Sequence, residues 1–484
     1  MKASLVQRNR IESGAGQPES AAEPKERCLQ NLSDLVRSRV SEESLHSDRE
    51  LDAWIEETLA NCRLKVSRIA LDSMKRWSID TASGNIGHET GRFFTFTGVG
   101  IRHRTTSGEL EWDQPIIDQP EFGILGILAK MIGGVMHFCL QAKEEPGNIN
   151  SVQISPTVQA TFSNYTCVHG GTAPQFIEYF LSPKPESLIF GKLQTEDGGR
   201  FLYKSNRNMV VRVGDSELTH LPDGFIWMTL RQIVRLMKQD NLVHATTRSV
   251  LSALLLPVIG DSYCLEKFLW DSSGAVMNLG ETIQWLDERK AANHMLVKRK
   301  GLKSLKEWTF SADGAFRHQE ERFFKIMGID VTAGGREVSR WQQPIIANMQ
   351  PGVIGILVRN QHGKRHFLIQ AKAEAGNRTI VQLGPTVQFS TVNYQDNPRL
   401  QKPFLFDEFS TPGHYPVLAE SMQAEEGARF FRETNCHRVL FLPEGAEIDL
   451  PVDFRWFSED EIRFFLNLGE TVNSCARSII ACLI

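Results

Sequence analysis

The chain has 484 residues, 41% apolar and 23% charged, with a formal net charge of −4. This is an ordinary globular composition, long enough for two sizeable cores. The small acidic excess excludes an overall electrostatic pull toward nucleic acid or an anionic membrane and leaves a small charged ligand compatible. Eight scattered cysteines without a Cys-x-x-Cys pair argue against disulfides and structural zinc, and Cys139 reads as a small apolar residue.

Residues 1–26 are polar and lack the apolar stretch of a secretory signal, so residues 1–50 are expected to be a flexible polar leader. No apolar run approaches the roughly 20 residues that span a bilayer. A soluble, cytoplasmic protein is expected. Leu51 to Met74 carries apolar residues at helical spacing and predicts one or two helices. These open a first repeat over residues 51–259, which a linker over 260–295, with a short helix at 283–292, joins to a second repeat over 296–484. Phe122 to Ala129 and Val353 to Val358 read as buried strands. Each copy ends helically, at Thr229 to Gln239 and Thr247 to Leu256, and at Glu459 to Leu468 and Ala476 to Leu483. The expected class is α+β, with helices packed on a mixed or antiparallel sheet.

The repeats are visible residue by residue. Trp112-Asp113-Gln114-Pro115-Ile116-Ile117 returns as Trp341-Gln342-Gln343-Pro344-Ile345-Ile346, and Pro156-Thr157-Val158-Gln159 as Pro385-Thr386-Val387-Gln388. Gln141, Lys143, Glu145, Tyr165 and Trp227 find Gln370, Lys372, Glu374, Tyr394 and Trp456 at the same displacement of 229 residues, as from Trp112 to Trp341. The displacement is 230 between His88 and His318 and between Arg92 and Arg322. One domain was duplicated, and the copies act as an internal comparison.

The polar residues kept by both copies gather on a predicted hairpin. Alternation puts His137, Gln141 and Lys143 on one face of its first strand, and Gln153, Thr157 and Gln159 on one face of its partner. His366, Gln370 and Lys372 with Gln382, Thr386 and Gln388 repeat the pattern. A solvated face accepts polar residues interchangeably, so survival of the same Gln, Thr and Lys points to a ligand-binding face.

At the hairpin bend, Glu145 and Glu374 sit in Lys-x-Glu-x-Gly-Asn, either paired with the lysine or placed to abstract a proton. His88 and His318 are either structural or acid–base groups. Trp112 and Trp341 either pack in a core or stack under a nucleobase. Arg92 and Arg322 either hold phosphate or form surface ion pairs. The first copy has the richer inventory, Glu144, Glu145 and His169 against Ala373, Glu374 and no matching histidine, so the active site is expected there. No P-loop, dinucleotide fingerprint or His/Cys metal cluster is present.

The chain resembles the NDP-hexose 2,3-dehydratases of deoxysugar biosynthesis. The resemblance rests on Asp80 to Phe94, Trp112 to Ile117, Gln141 to Asn148 and Pro156 to Tyr165, and extends over nearly everything beyond the leader. It implies two Nudix-hydrolase-like α/β/α domains, a homodimer, and a nucleotide-linked 4-keto-6-deoxyhexose, with thymidine diphosphate favoured, as substrate. The Nudix carboxylate box that holds magnesium is absent from both copies, Gly335-Arg336-Glu337-Val338 being only a fragment.

The implied reaction removes the C-3 proton beside the C-4 ketone and expels the C-2 hydroxyl as water, giving a 3,4-diketo-2,6-dideoxy sugar without a cofactor. Glu145, His88, Tyr165 and Lys143 are the candidate catalytic residues. Arg92, Trp112, Gln114, Gln141, Asn148, Gln153, Thr157, Gln159, Asn164 and His169 are the candidate binding residues. Arg322, Trp341, Gln343, Gln370, Lys372, Glu374, Gln382, Thr386, Gln388 and Tyr394 are the candidates for a second pocket, either vestigial or still binding ligand. The alternative is a sugar-nucleotide-binding protein without catalysis. No metal, nucleic acid or membrane partner is expected.

Overall fold

The computed structural model describes residues 24–105, 108–166, 172–254, 279–334, 339–348, 350–361, 363–394, 397 and 400–484. The expected residue His169 and the fragment at 335–338 lie outside them. The architecture is α+β and is repeated in two halves.

Each half is built on a seven-stranded mixed sheet. In the first half the order is Leu188–Thr195, Ser205–Arg212, Gly123–Ile132, Val135–Glu144, Phe225–Thr229. Val152–Pro156 pairs with Val135–Glu144, and Val158–Ala160 with Gly123–Ile132. The second half repeats this order from Val417–Ala424 to Phe454–Ser458. One apolar core runs through both halves, joining Phe138, Ile233 and Leu236 to Phe367, Phe465 and Ile479. Each such side chain contributes roughly 1.5–3 kcal/mol of burial.

The predicted hairpin is forked where a single partner strand was expected. Gly123–Ile132 and Val135–Glu144 pair only from the turn as far as Leu128 opposite Cys139 and then part, so each takes its own short partner. Thr157 fills the fork, accepting from Leu128 N at 2.9 Å and donating to Cys139 O. Thr386 does the same between Leu357 N and Leu368 O. The repeated Pro-Thr pair is therefore architectural: a hydroxyl supplies the two bonds that the ladder cannot make there.

The halves exchange strands. Lys65–Ile69 of the first half pairs with Lys325–Thr332 of the second, and His294–Lys300 pairs with Thr95–Thr105 of the first. Of the one or two helices expected over Leu51 to Met74, the first ends at Asn61, and Lys65–Ile69 after it is drawn into a sheet by the distant strand Lys325–Thr332. The linker helix is present as Leu279–Ala292, and the strand after it begins inside the expected linker.

Residues 24–50 differ from the expected loose leader. Pro24–Val40 is a helix whose Leu35 is buried with Leu32 and Val36 beside it, while Ser38 accepts from Leu230 N at 2.8 Å. A single apolar stripe among charges suffices to dock it. Helix Asp48–Asn61 opens on a Ser47/Glu50 capping box, and its Asp48 and Asp52 pair with Arg231 and Arg235. No helix among the described residues is long and apolar enough to cross a membrane.

Two fully buried arginines fasten the halves. Arg248 Nε donates to Ser478 Oγ at 2.8 Å and Nη2 to Ala424 O at 2.8 Å, and Arg477 Nε donates to Ser249 Oγ at 3.0 Å. Each arginine sits in one half and finds partners in the other, at equivalent positions. Two loops meet in the same reciprocal way. Gly147 N donates to Gly427 O and Gly376 N to Gly198 O, both at 2.8 Å. A Cβ on Gly147 would stand 1.8 Å from Phe430 O, and one on Gly376 1.9 Å from Phe201 O. The glycine of Lys-x-Glu-x-Gly-Asn recurs because only a bare backbone allows this approach.

Candidate active site

The loop handshake closes a polar cleft of about 120 Å³ over the first half. Lys143, Glu145, Gln159, Asn164, Glu196 and Lys204 line it from the first half, and Glu426, Ala428 and Arg429 reach it from the second.

Its centre follows from the fork. Lys143 and Glu145 lie at the end of one arm and Gln159 on the short strand of the other, so Lys143 Nζ donates to Gln159 Oε1 at 2.8 Å and stands 3.3 Å from Glu145 Oε1. Glu145 is buried. The segment before helix Ala245–Leu251 runs beside Val152–Pro156, bonded through Ile154 N to Leu242 O and His244 N to Ile154 O. That brings His244 over Glu145. As N-cap, His244 accepts the Thr246 amide at Nδ1, which leaves Nε2 to donate to Glu145 Oε2 at 2.9 Å. Gln159 Nε2 completes the chain by donating to Glu426 Oε1 at 3.3 Å.

The second half has the same frame with different charges. Asn473 replaces His244, capping its helix through Ala476 N and donating to Glu374 Oε2 at 3.4 Å and Gln388 Oε1 at 3.2 Å. Glu433 replaces Lys204. Burial disfavours the charged form of both Glu145 and Glu374, with opposite outcomes. The pull of His244 and Lys143 overrides burial and holds Glu145 below the usual carboxylate range. Burial and the neighbouring Asp197 push Glu374 above it. In the first cleft, burial lowers Lys204 to about 8, against the pull of Glu196 and Glu426. Burial and then Glu426 raise Glu196.

The remaining expected residues fall in several places. Asn148 braces the bend, donating to Lys143 O and Ser151 O at 3.2 Å, and buried Gln153 donates to Asn241 O at 3.0 Å. Gln141 is half-buried, opposite Phe225 and Ser155. Asn164 lines the cleft, whereas Tyr165, one residue on, packs against Phe162 outside the lining. Trp112, 37% exposed, donates to Gln114 Oε1 at 3.0 Å, and Gln114 donates to Gly199 O at 2.9 Å. His88 packs edge-on against Trp77 and Phe93, away from the cleft lining, and Arg92 is exposed.

In the second half, Trp341 and Gln343 repeat the relay to Ala428 O, at 2.9 and 2.8 Å, so this pair holds the very loop that enters the first cleft. Gln388 donates to Glu374, Gln382 accepts from Thr195 at 2.8 Å, and Tyr394 packs on Phe389 and Phe406. Arg322 stands 3.4 Å from Glu320. Gln370 faces Phe454 and Gly384 across the sheet, and Lys372 pulls on Glu374.

His244, Glu196, Lys204, Glu426 and Arg429 were missed by sequence reasoning. The repeat held a signal for the last: Glu196-Asp197-Gly198-Gly199-Arg200-Phe201 returns as Glu425-Glu426-Gly427-Ala428-Arg429-Phe430 at the same 229. The guanidinium of Arg429 lies 4.1 Å from the Phe94 ring centre, as Arg200 lies 4.2 Å from Phe324. The phenylalanine pair after Arg92 and Arg322 thus supports the exchanged arginine.

The sequence model for NDP-hexose 2,3-dehydratase matches twice, over residues 48–254 and 279–483. A dTDP-4-dehydro-6-deoxy-alpha-D-glucopyranose 2,3-dehydratase of Saccharopolyspora spinosa is 36% identical over 446 residues, covering 90% of each chain. Enzymes of the same name from Amycolatopsis orientalis and Streptomyces violaceoruber are 37% and 36% identical, covering 89% of this chain and 89% and 96% of theirs.

Proposed function

Because the chain belongs to the NDP-hexose 2,3-dehydratase family, we propose that it removes water from dTDP-4-keto-6-deoxyglucose in the first-half cleft. The observation that carries the reading is the meeting there of Lys143, Lys204 and Arg429 with Glu145, Glu196 and Glu426. Elimination beside a ketone needs a base for the C-3 proton, an acid for the departing C-2 hydroxyl and cations facing the enolate oxygen. The cleft offers each type.

In this reading Lys143 donates the proton to the leaving hydroxyl. Glu145 is its positioning residue: both carboxylate oxygens are engaged, one by Lys143 and one by His244. Lys204 and Arg429 face the developing enolate. His88 and Tyr165, off the cleft lining, have no role in the step, and Trp112 is left as a stacking surface for the base. The second cleft lacks the histidine and the Lys204 equivalent, so turnover belongs to the first half.

The mixed sheet flanked by helices supports a Nudix-like cradle for the nucleotide diphosphate. The homodimer follows from the family resemblance, and sedimentation of the purified chain tests it. A cytoplasmic location fits the use of a sugar nucleotide.

Incubation with dTDP-4-keto-6-deoxyglucose in deuterium oxide tests the function. A dehydratase yields the 3,4-diketo-2,6-dideoxy product with deuterium at C-2, at a rate that exhaustive chelation leaves unchanged. Intact substrate with no exchange at C-3 would leave a sugar-nucleotide binder, and release of nucleoside monophosphate with magnesium would mark a pyrophosphohydrolase.

A further inference from the structure

We propose that Glu426, a residue of the second half, is the base that takes the C-3 proton in the first-half cleft; this rests on the dehydratase reading above. The two copies differ at this position in reach. Asp197, the equivalent residue, turns back on its own loop and accepts the Gly199 amide at 2.8 Å. Glu426 is one methylene longer and crosses between the halves to Gln159, 267 residues away, at 3.3 Å. Gln388, the equivalent of Gln159, bonds Glu374 instead. Among the described residues, the bond from Gln159 to a carboxylate of the opposite half has no counterpart at Gln388.

Glu426 also differs from the carboxylate beside it. Glu145 is buried, with His244 on one oxygen and Lys143 on the other. Glu426 is half-buried and lines the cleft, with Glu196, Lys204 and Arg429 around it. Its backbone is fixed on both sides, before it by Glu425 N donating to Glu433 O at 3.0 Å and after it by Gly427 O accepting from Gly147 N and Ala428 O accepting from Gln343 Nε2. A carboxylate that faces the substrate space on a rigid loop meets the geometric demand on a general base.

The step balances without a co-reactant. The C-3–H bond breaks, its proton passes to the Glu426 carboxylate and its electron pair forms the C-3–C-4 double bond of the enolate. That pair then forms C-2–C-3 as the C-2–O bond breaks. Lys143 protonates the departing hydroxyl to water, and the resulting enol ketonises by gaining a proton at C-2 and losing one from the C-3 hydroxyl.

Three variants test this with dTDP-4-keto-6-deoxyglucose in deuterium oxide. Glu426→Gln should lower kcat at least 10³-fold, change KM less than about threefold and abolish exchange at C-3. Glu426→Ala should lose as much and regain at least tenfold with added formate, which a structural role would not allow. Glu426→Asp, which keeps the charge and shortens the reach, should retain partial turnover and serves if the others fold poorly. Wild-type turnover with a Gln variant within threefold of it, or an Ala variant that formate does not rescue, overturns the role of Glu426 alone. A wild-type protein that neither exchanges nor dehydrates overturns the dehydratase reading together with it.

Discussion

His244 Nε2 donates to Glu145 Oε2 at 2.9 Å, while the corresponding Asn473 amide stands 3.4 Å from Glu374 Oε2. A hydrogen-bond-donating ring at one end of the repeated frame, with Asp197 beside the other carboxylate, separates a carboxylate held ionised from one pushed toward its neutral form. His244 and Asn473 hold equivalent helix N-caps, so the exchange leaves the backbone frame unchanged.

His244→Asn should therefore convert the first cleft toward the second. The Asn side chain still caps the helix, but the pull on Glu145 weakens and its carboxyl moves up. Because the parent carboxyl is held low, its ionised form persists as pH falls; in the variant the acidic limb of the kcat profile should move to higher pH. Turnover near neutrality should drop by about 10–10²-fold. A pH–rate profile that superimposes on the parent's would remove His244 from the account.

Glu145→Gln keeps volume and removes the charge that steadies Lys143, so turnover should fall by around 10². Glu374→Gln should change it far less, because no lysine–histidine pair depends on Glu374. Comparable losses in steady-state assays of the two variants would sink the assignment of turnover to the first half.

Gly147→Ala places a methyl 1.8 Å from Phe430 O and 2.6 Å from Gly427 O, both backbone atoms without freedom to turn aside. The loops must separate, breaking the Gly147–Gly427 bond. A loss of about 3 kcal/mol or more is expected by denaturant titration. Gly280→Ala, which meets nothing within 4 Å, should be neutral or slightly stabilising. Equal midpoints for the two variants would show that the handshake is not tight.

Glu425 is raised to about 7 by burial and by Glu433, against 4.5 for an ordinary glutamate. The native state then binds more protons than the unfolded chain between about pH 4.5 and 7. Stability therefore falls as pH rises through that window. Glu425→Gln removes the dependence, so its stability relative to the parent should be better at pH 8 than at pH 5, by at most about 3 kcal/mol. Melting curves at the two pH values check this, and a relative gain confined to pH 5 would reverse the sign.

The sequence by itself determined the duplication, the α+β class and the family, because repeated residues at a fixed displacement record shared ancestry whatever the fold does with them. It also identified Lys143, Glu145 and Gln159, whose spacing brings them to the fork. It did not separate these from Thr157 and Asn148, which recur equally faithfully but serve the backbone: recurrence reports constraint without its cause. Tertiary structure alone decided the exchange of strands and loops between halves, since a strand edge chooses its partner by packing and not by proximity in the chain. Gln159 and Glu426 meet across 267 residues. The lysine, arginine and carboxylates of the cleft thus come from both copies, and its asymmetry lies at positions where the copies differ, His244, Lys204 and Glu426 against Asn473, Glu433 and Asp197.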